Sequence, residues 1–221
     1  MTAAESRPAG LFVTFEGGDG AGKTTQATLL EEWLTATGSA VVRTREPGGT
    51  EVGVLIRDIV LHHRGEVSPR AEALLYAADR AHHVETVVRP ALERGDVVIQ
   101  DRYLDSSVAY QGAGRVLGRD EVRALSLWAT RDLLPDLTVL LDLDPAAARR
   151  RLDADDKPFD RLEAERESFH VSVREEFLAL AAAEPGRFLV LDATPPAPQL
   201  AEAVRARIGT HLAAGEVTGR G

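Results

Sequence analysis

From Gly17 to Thr24 the sequence reads Gly-Gly-Asp-Gly-Ala-Gly-Lys-Thr, which meets the spacing G-x-x-x-x-G-K-[ST] at every fixed position. Glycines at this density let the backbone curl until successive N–H groups point inward, an arrangement that holds phosphate. Lys23 would reach the terminal phosphates of a nucleotide, and Thr24 would offer its hydroxyl to Mg2+. A second chemical pair, Asp101-Arg102, closes the apolar run Val97-Val98-Ile99. A carboxylate at the end of a buried strand suits a metal shell, and Arg102 follows it directly. The pairs His62-His63 and His82-His83 lack the spacing and acidic company of a metal site and read as surface or helix-packing residues.

These groups need elements to position them. Leu11-Phe12-Val13-Thr14-Phe15, bounded by Gly10 and Gly17, reads as a short buried strand, and Ala27-Leu30-Leu34 recur at helical spacing up to Gly38. The phosphate loop therefore sits between a strand and a helix, the context the motif requires. Ala40-Val41-Val42 reads as a second strand, followed by the turn Glu46-Pro47-Gly48-Gly49 and a helix with apolar Val52, Leu55 and Ile59. One helix is expected from Ser68-Pro69 to about Arg94, with Ser68 as its N-cap. Strands follow at 96–101, 137–143 and 187–192, the last two each leading into helical pattern. Five short apolar strands alternating with helices predict a doubly wound α/β domain of P-loop NTPase type, with a five-stranded, mainly parallel sheet covered on both faces. Residues 1–221 are read as a single domain, with disordered ends at about 1–9 and 215–221.

Composition narrows the classes. The chain has 221 residues, no Cys and a formal charge of −9, so disulfide scaffolds, cysteine nucleophiles and thiolate metal sites are excluded. Nucleic acid and anionic membrane would be repelled on average, and anionic ligands need a local basic pocket. No apolar run approaches the roughly 20 residues of a membrane span, and Met1–Gly10 lack the regions of a signal peptide, so a cytoplasmic protein is expected. Guanine-reading switches need an Asn-Lys-x-Asp element, and the sequence contains no Asn; partition-type ATPases carry an early loop lysine where this chain has Gly18. A small-molecule kinase, needing a second anion site and a cationic lid, fits better.

Phe15 through Thr25, Thr44-Arg45-Glu46-Pro47-Gly48-Gly49-Thr50, Ala77-Ala78-Asp79-Arg80, Asp101-Arg102-Tyr103, Ala109-Tyr110-Gln111-Gly112 and Asp160-Arg161-Leu162-Glu163 come in the order and spacing of bacterial thymidylate kinases. The chain resembles that family from about residue 11 to about residue 212. The resemblance implies transfer of a phosphoryl group from ATP to dTMP, with Mg2+, in a cytoplasmic homodimer serving dTTP synthesis. It implies ATP phosphates on Gly17, Gly18, Asp19, Gly20, Ala21, Gly22, Lys23 and Thr24, and metal held partly through water by Thr24 and Asp101. Arg102 and Arg57 would hold the acceptor phosphate, and Asp19 would meet the sugar hydroxyl or the metal shell. Tyr76, where Phe is more usual, would stack on thymine; Arg80, Ser107 and Gln111 would contact the base. A related kinase for another nucleoside monophosphate or small alcohol, or an ATP-gated interaction protein, stands as the alternative.

The family's lid matches residues of about 149–160, where Arg149, Arg150 and Arg151 precede an acidic run containing Lys157. The phosphate loop has no Arg in its variable positions, so the resemblance assigns the transition-state cation to the lid. Relatives commonly place an Arg just before the Asp-Arg pair, and this chain does not. Three consecutive helical residues diverge by about 100° each and cannot face one phosphate together. Arg151 is the expected catalytic cation by counting from Pro145, with Lys157 as a substitute and Arg149, Arg150 and Arg161 left open.

Overall fold

The computed structural model describes residues 10–113, 117–154 and 160–218. The first strand, β1 (Leu11–Glu16), lies at the centre of the sheet and delivers the phosphate loop to α1 (Lys23–Ala36). Then come β2 (Val41–Arg45), α2 (Glu51–His62), α3 (Pro69–His83), a π-helical turn at Val84–Val88, α4 (Arg89–Glu93) and β3 (Val97–Asp101). A short α5 (Leu104–Ser107) runs into a second π-helical segment, Val108–Ala113, and α6 (Arg119–Thr130) leads to β4 (Leu137–Asp142). The chain continues through α7 (Pro145–Ala154), α8 (Glu167–Ala183), β5 (Phe188–Asp192) and α9 (Ala197–Thr218).

The strands run β2-β3-β1-β4-β5, and every pairing is parallel, so the sheet is the one expected with its mainly parallel character made complete. Side chains alternate across β1: Val13 and Phe15 join Leu30, Leu34, Val204 and Ile208 under α1 and α9, whereas Phe12 faces Val88, Leu92 and Tyr103 on the other side. With both faces covered, the strands can be apolar throughout, and all five residues of β1 after Leu11 are buried.

Some expectations change. The helix from Ser68 divides into α3, the π-helical turn and α4, and Ser68 occupies the N-cap position without a side-chain cap bond. The second strand extends to Arg45, which carries the chain three residues beyond Val42 towards the Glu46-Pro47 turn. The terminal tail expected from about residue 215 is instead the end of α9 as far as Thr218; residues 1–9 and 219–221 lie outside the described residues. Of the lid, Arg149 to Ala154 belong to α7, and 155–159, including Lys157, lie outside the described residues. No helix among the described residues is long and apolar enough to cross a membrane.

Candidate active site

Parallel strands present their carboxyl ends on one edge of a sheet, so the last residues of β1, β2 and β3 open towards a common crevice. Two hydrogen bonds continue the ladder past the strands: Glu46 N–H donates to Asp101 O at 2.9 Å, and Arg102 N–H to Phe15 O at 3.0 Å. The Glu-Pro-Gly-Gly turn, the phosphate loop and Arg102 are thereby pinned side by side. Gly17 leaves β1 with φ 131°, and a Cβ there would stand 2.4 Å from the Leu141 carbonyl, so no larger residue fits. Gly22 caps α1 with φ 95°.

Lys23 is buried and donates to Gly17 O at 3.1 Å and Gly18 O at 2.8 Å. Burial and then the Arg102 charge pull its pKa below the usual lysine value. Thr24 Oγ1 donates to Asp101 Oδ2 at 2.8 Å. This hydroxyl–carboxylate pair is a hard oxygen donor set. Mg2+ is usually bound by one or two carboxylates together with phosphate and water, so the residues fit that ion. The described residues contain no cluster of three metal-ligating side chains, which a Mg2+ site shared with nucleotide does not need.

Arg102 adopts φ 65°, a left-handed turn that folds its side chain back over the loop. Its guanidinium donates to Gly17 O, Ser106 Oγ, Asp19 Oδ1 and Tyr110 Oη. Burial would raise the pKa of Asp19, but the charges of Arg102 and Lys23 prevail and hold it at about 2. Beneath Arg102 lies Glu16, fully buried, which accepts from Tyr103 N and from both the amide and hydroxyl of Ser106. Burial, reinforced by the nearby Asp105 charge, pushes Glu16 up to about 7.

Two cavities meet at this point. A groove runs along the phosphate loop and is lined by Lys23, Thr24, Arg45, Asp101 and Arg151, among others. A smaller pocket is lined by Tyr76, Arg80, Ser107 and Gln111, among others. Asp19, Glu46, Arg57, Arg102 and Glu163 belong to both walls. The structure thus brings every described residue expected to hold the acceptor into one pocket, adjoining the loop expected to hold the donor. Arg57 donates to Pro47 O at 3.0 Å, and burial together with Arg45 lowers its pKa. Arg151 leans from α7 onto the loop, donating to Gly20 O at 3.3 Å and Ala193 O at 2.8 Å. Arg150 is exposed, Arg149 pairs with Asp153, and Arg161 bonds Glu72 and Val60 O.

Arg80 is less free than a surface cation four residues from Tyr76 would be. It donates to Glu46, Ser126, Tyr103 O and Ser107, which uses four of the five N–H groups a guanidinium carries. Glu46 also meets His83 Nδ1 at 2.8 Å, and His83 Nε2 meets Thr44 Oγ1 at 2.6 Å. His83 is therefore a buried strut behind the pocket, whereas His62, His63 and His82 are exposed. Glu16, Glu46, Tyr110 and Glu163 had no role assigned from the sequence. A carboxylate inside an apolar strand was the available signal for Glu16; Tyr110 and Glu163 lie inside strings that carry the family resemblance, which marked the segments and not these side chains.

The sequence matches the family model described as "Thymidylate kinase" over residues 15–204. It is 68% identical over 206 residues to a thymidylate kinase of Clavibacter michiganensis subsp. michiganensis, covering 93% of this chain and 98% of the relative. A thymidylate kinase of Leifsonia xyli subsp. xyli is 67% identical over 208 residues, 94% of this chain and 98% of the relative. Among solved structures, a thymidylate kinase crystal structure from Ehrlichia chaffeensis superposes with TM-score 0.69 at 33% identity, covering 83% of this chain and 93% of that one. With the loop, the crevice and the adjoining pocket all in place, the chain belongs to the thymidylate kinase family.

Proposed function

We propose that this chain transfers the γ-phosphoryl group of ATP to the phosphate of dTMP, giving ADP and dTDP, with ATP in the groove and dTMP in the pocket. The observation that carries the arrangement is the shared wall: Asp19, Arg57 and Arg102 face both cavities, so two phosphate groups arriving from either side meet there. An oxygen of the dTMP phosphate attacks the γ-phosphorus in line, the bond to the β–γ bridging oxygen breaks, and ADP leaves with that electron pair. The protein supplies position and positive charge, and no covalent intermediate forms on it. Lys23 turns from the Gly17 and Gly18 carbonyls to the β- and γ-phosphates. Arg102 and Arg57 hold the acceptor phosphate, and Arg151, already over the loop, neutralises the transferring group, with Lys157 as the second lid cation. Thr24 and Asp101 would hold Mg2+, which when bound offsets the charge of the β- and γ-oxygens. Tyr76 stacks on the base, while Arg80, Ser107 and Gln111 face its polar edge.

The same reading includes a homodimer in the cytoplasm. Val52, Leu55 and Ile59 on α2, Leu74 on α3 and Trp128 on α6 are exposed apolar side chains on three helices, a surface suited to a second copy. A phosphate-transfer assay across dTMP, dUMP, dCMP, dGMP and AMP tests the activity: turnover is expected to be highest on dTMP. Turnover on none of them would leave an ATP-gated binding module.

A further inference from the structure

A primary amide has two faces, one donating and one accepting, and its neighbours decide which face a ligand meets. Gln111 is buried in the pocket wall, and its Nε2 donates to Glu72 Oε1 at 3.0 Å. Glu72 stands on α3, one turn before Tyr76, and is only 1% exposed. Its other oxygen accepts from Arg161, whose Nε is anchored on Val60 O at 2.9 Å. With each oxygen engaged from a different direction, the carboxylate cannot rotate away. A carboxylate also offers Gln111 acceptors alone. Turning the amide over would set its carbonyl against that carboxylate inside the protein, leaving two buried acceptors without a donor between them. The carbonyl oxygen of Gln111 has no partner among the described residues, and it is not sealed away from the cavity.

We propose that Glu72 is a specificity-determining positioning residue: by holding the amide nitrogen of Gln111, it presents the carbonyl oxygen to the base and so selects a pyrimidine whose N3 carries a hydrogen. Thymine and uracil donate from N3. Cytosine has a lone pair there and would meet the carbonyl acceptor to acceptor. Glu72 itself does not line the pocket and acts through Gln111. It therefore sets the choice between imide and amidine rings and leaves the 5-methyl group to other contacts. This assignment rests on dTMP being the acceptor.

The test compares kcat/KM for dTMP and dCMP in the wild type, in Glu72→Gln and in the swap Glu72→Gln with Gln111→Glu. A glutamine at 72 can accept or donate, so Gln111 is released to turn. In the single variant, KM for dTMP is expected to rise about tenfold, with kcat and KM for ATP within about twofold, and selectivity over dCMP to fall at least about tenfold. The swap restores a pure acceptor at 111 and is expected to recover selectivity to within about threefold of wild type. A folded single variant with wild-type selectivity, or equal losses for both nucleotides, overturns the proposal. If the single variant does not fold, a folded swap that accepts dCMP as readily as dTMP does so. Calorimetry on the wild type needs no variant: dTMP methylated at N3 is expected to bind at least about tenfold more weakly than dTMP, and equal affinity overturns the proposal. A wild type inactive on dTMP would instead defeat the functional reading itself.

Discussion

Lys23 and Glu16 show how differently two buried titratable groups are used in one site. The Lys23 ammonium touches only loop carbonyls, so it can be removed without opening the core. Lys23→Ala is expected to lower kcat by about 10² or more, as loss of one electrostatic donor does, with the folded circular dichroism spectrum retained. Glu16 is structural, and its proton makes it visible. The folded protein holds that proton up to about pH 7, whereas an ordinary glutamate releases it near 4.5. Stability from this group therefore falls as pH rises between those values and levels off above them. Glu16→Gln keeps an acceptor for Tyr103 and Ser106 but cannot titrate. Relative to wild type, it is expected to gain about 1–3 kcal/mol between about pH 5 and pH 8, read by urea denaturation at both. Lys23, Thr24, Asp101 and Arg102 were legible because each belongs to a short local pattern. The bonds that commit Arg80 were not, since Glu46, Ser126, Tyr103 and Ser107 reach it from 23 to 46 positions away along the chain.

At the scale of elements, propensity and packing disagree at Gly53. Alanine in place of an exposed helical glycine stabilises by about 1 kcal/mol. Here a Cβ would stand 2.2 Å from Asp79 Oδ1, close under the turn where that carboxylate receives Gly48 N–H. Gly53→Ala is accordingly expected to destabilise by about 1–3 kcal/mol in chemical denaturation and to weaken dTMP binding through the displaced Glu-Pro-Gly-Gly turn. Strand positions were readable because buried parallel strands are nearly all apolar, and β4 shows this from Leu137 to Leu141. The π-helical turns at Val84–Val88 and Val108–Ala113 were not, because one extra residue per turn leaves no mark in a helical hydrophobic pattern. The second of these turns carries Tyr110 and Gln111, so the irregularity lies at the pocket itself.

At the scale of the whole molecule, α2 turns its apolar stripe outward. Leu55 is 68% exposed and Trp128 79%, while Gly53, Val60 and Leu61 face inward. The periodicity marked the helix correctly but did not say which body would cover it. If the proposed dimer forms through this face, Leu55→Asp is expected to shift it to monomer in sedimentation velocity; a wild type that sediments as a monomer would remove the dimer from the reading.

The common wall between groove and pocket makes the two nucleotides thermodynamic neighbours. Arg102 already shares its guanidinium among Gly17, Ser106, Asp19 and Tyr110, so on the proposed arrangement a phosphate that engages it is expected to redistribute those bonds at the wall facing the other cavity. Two equilibria that draw on one side chain cannot have independent free energies. Whatever factor ATP imposes on the affinity for dTMP, dTMP imposes on the affinity for ATP. On the proposed arrangement, coupling between donor and acceptor is expected to run through a single left-handed residue just past the end of β3.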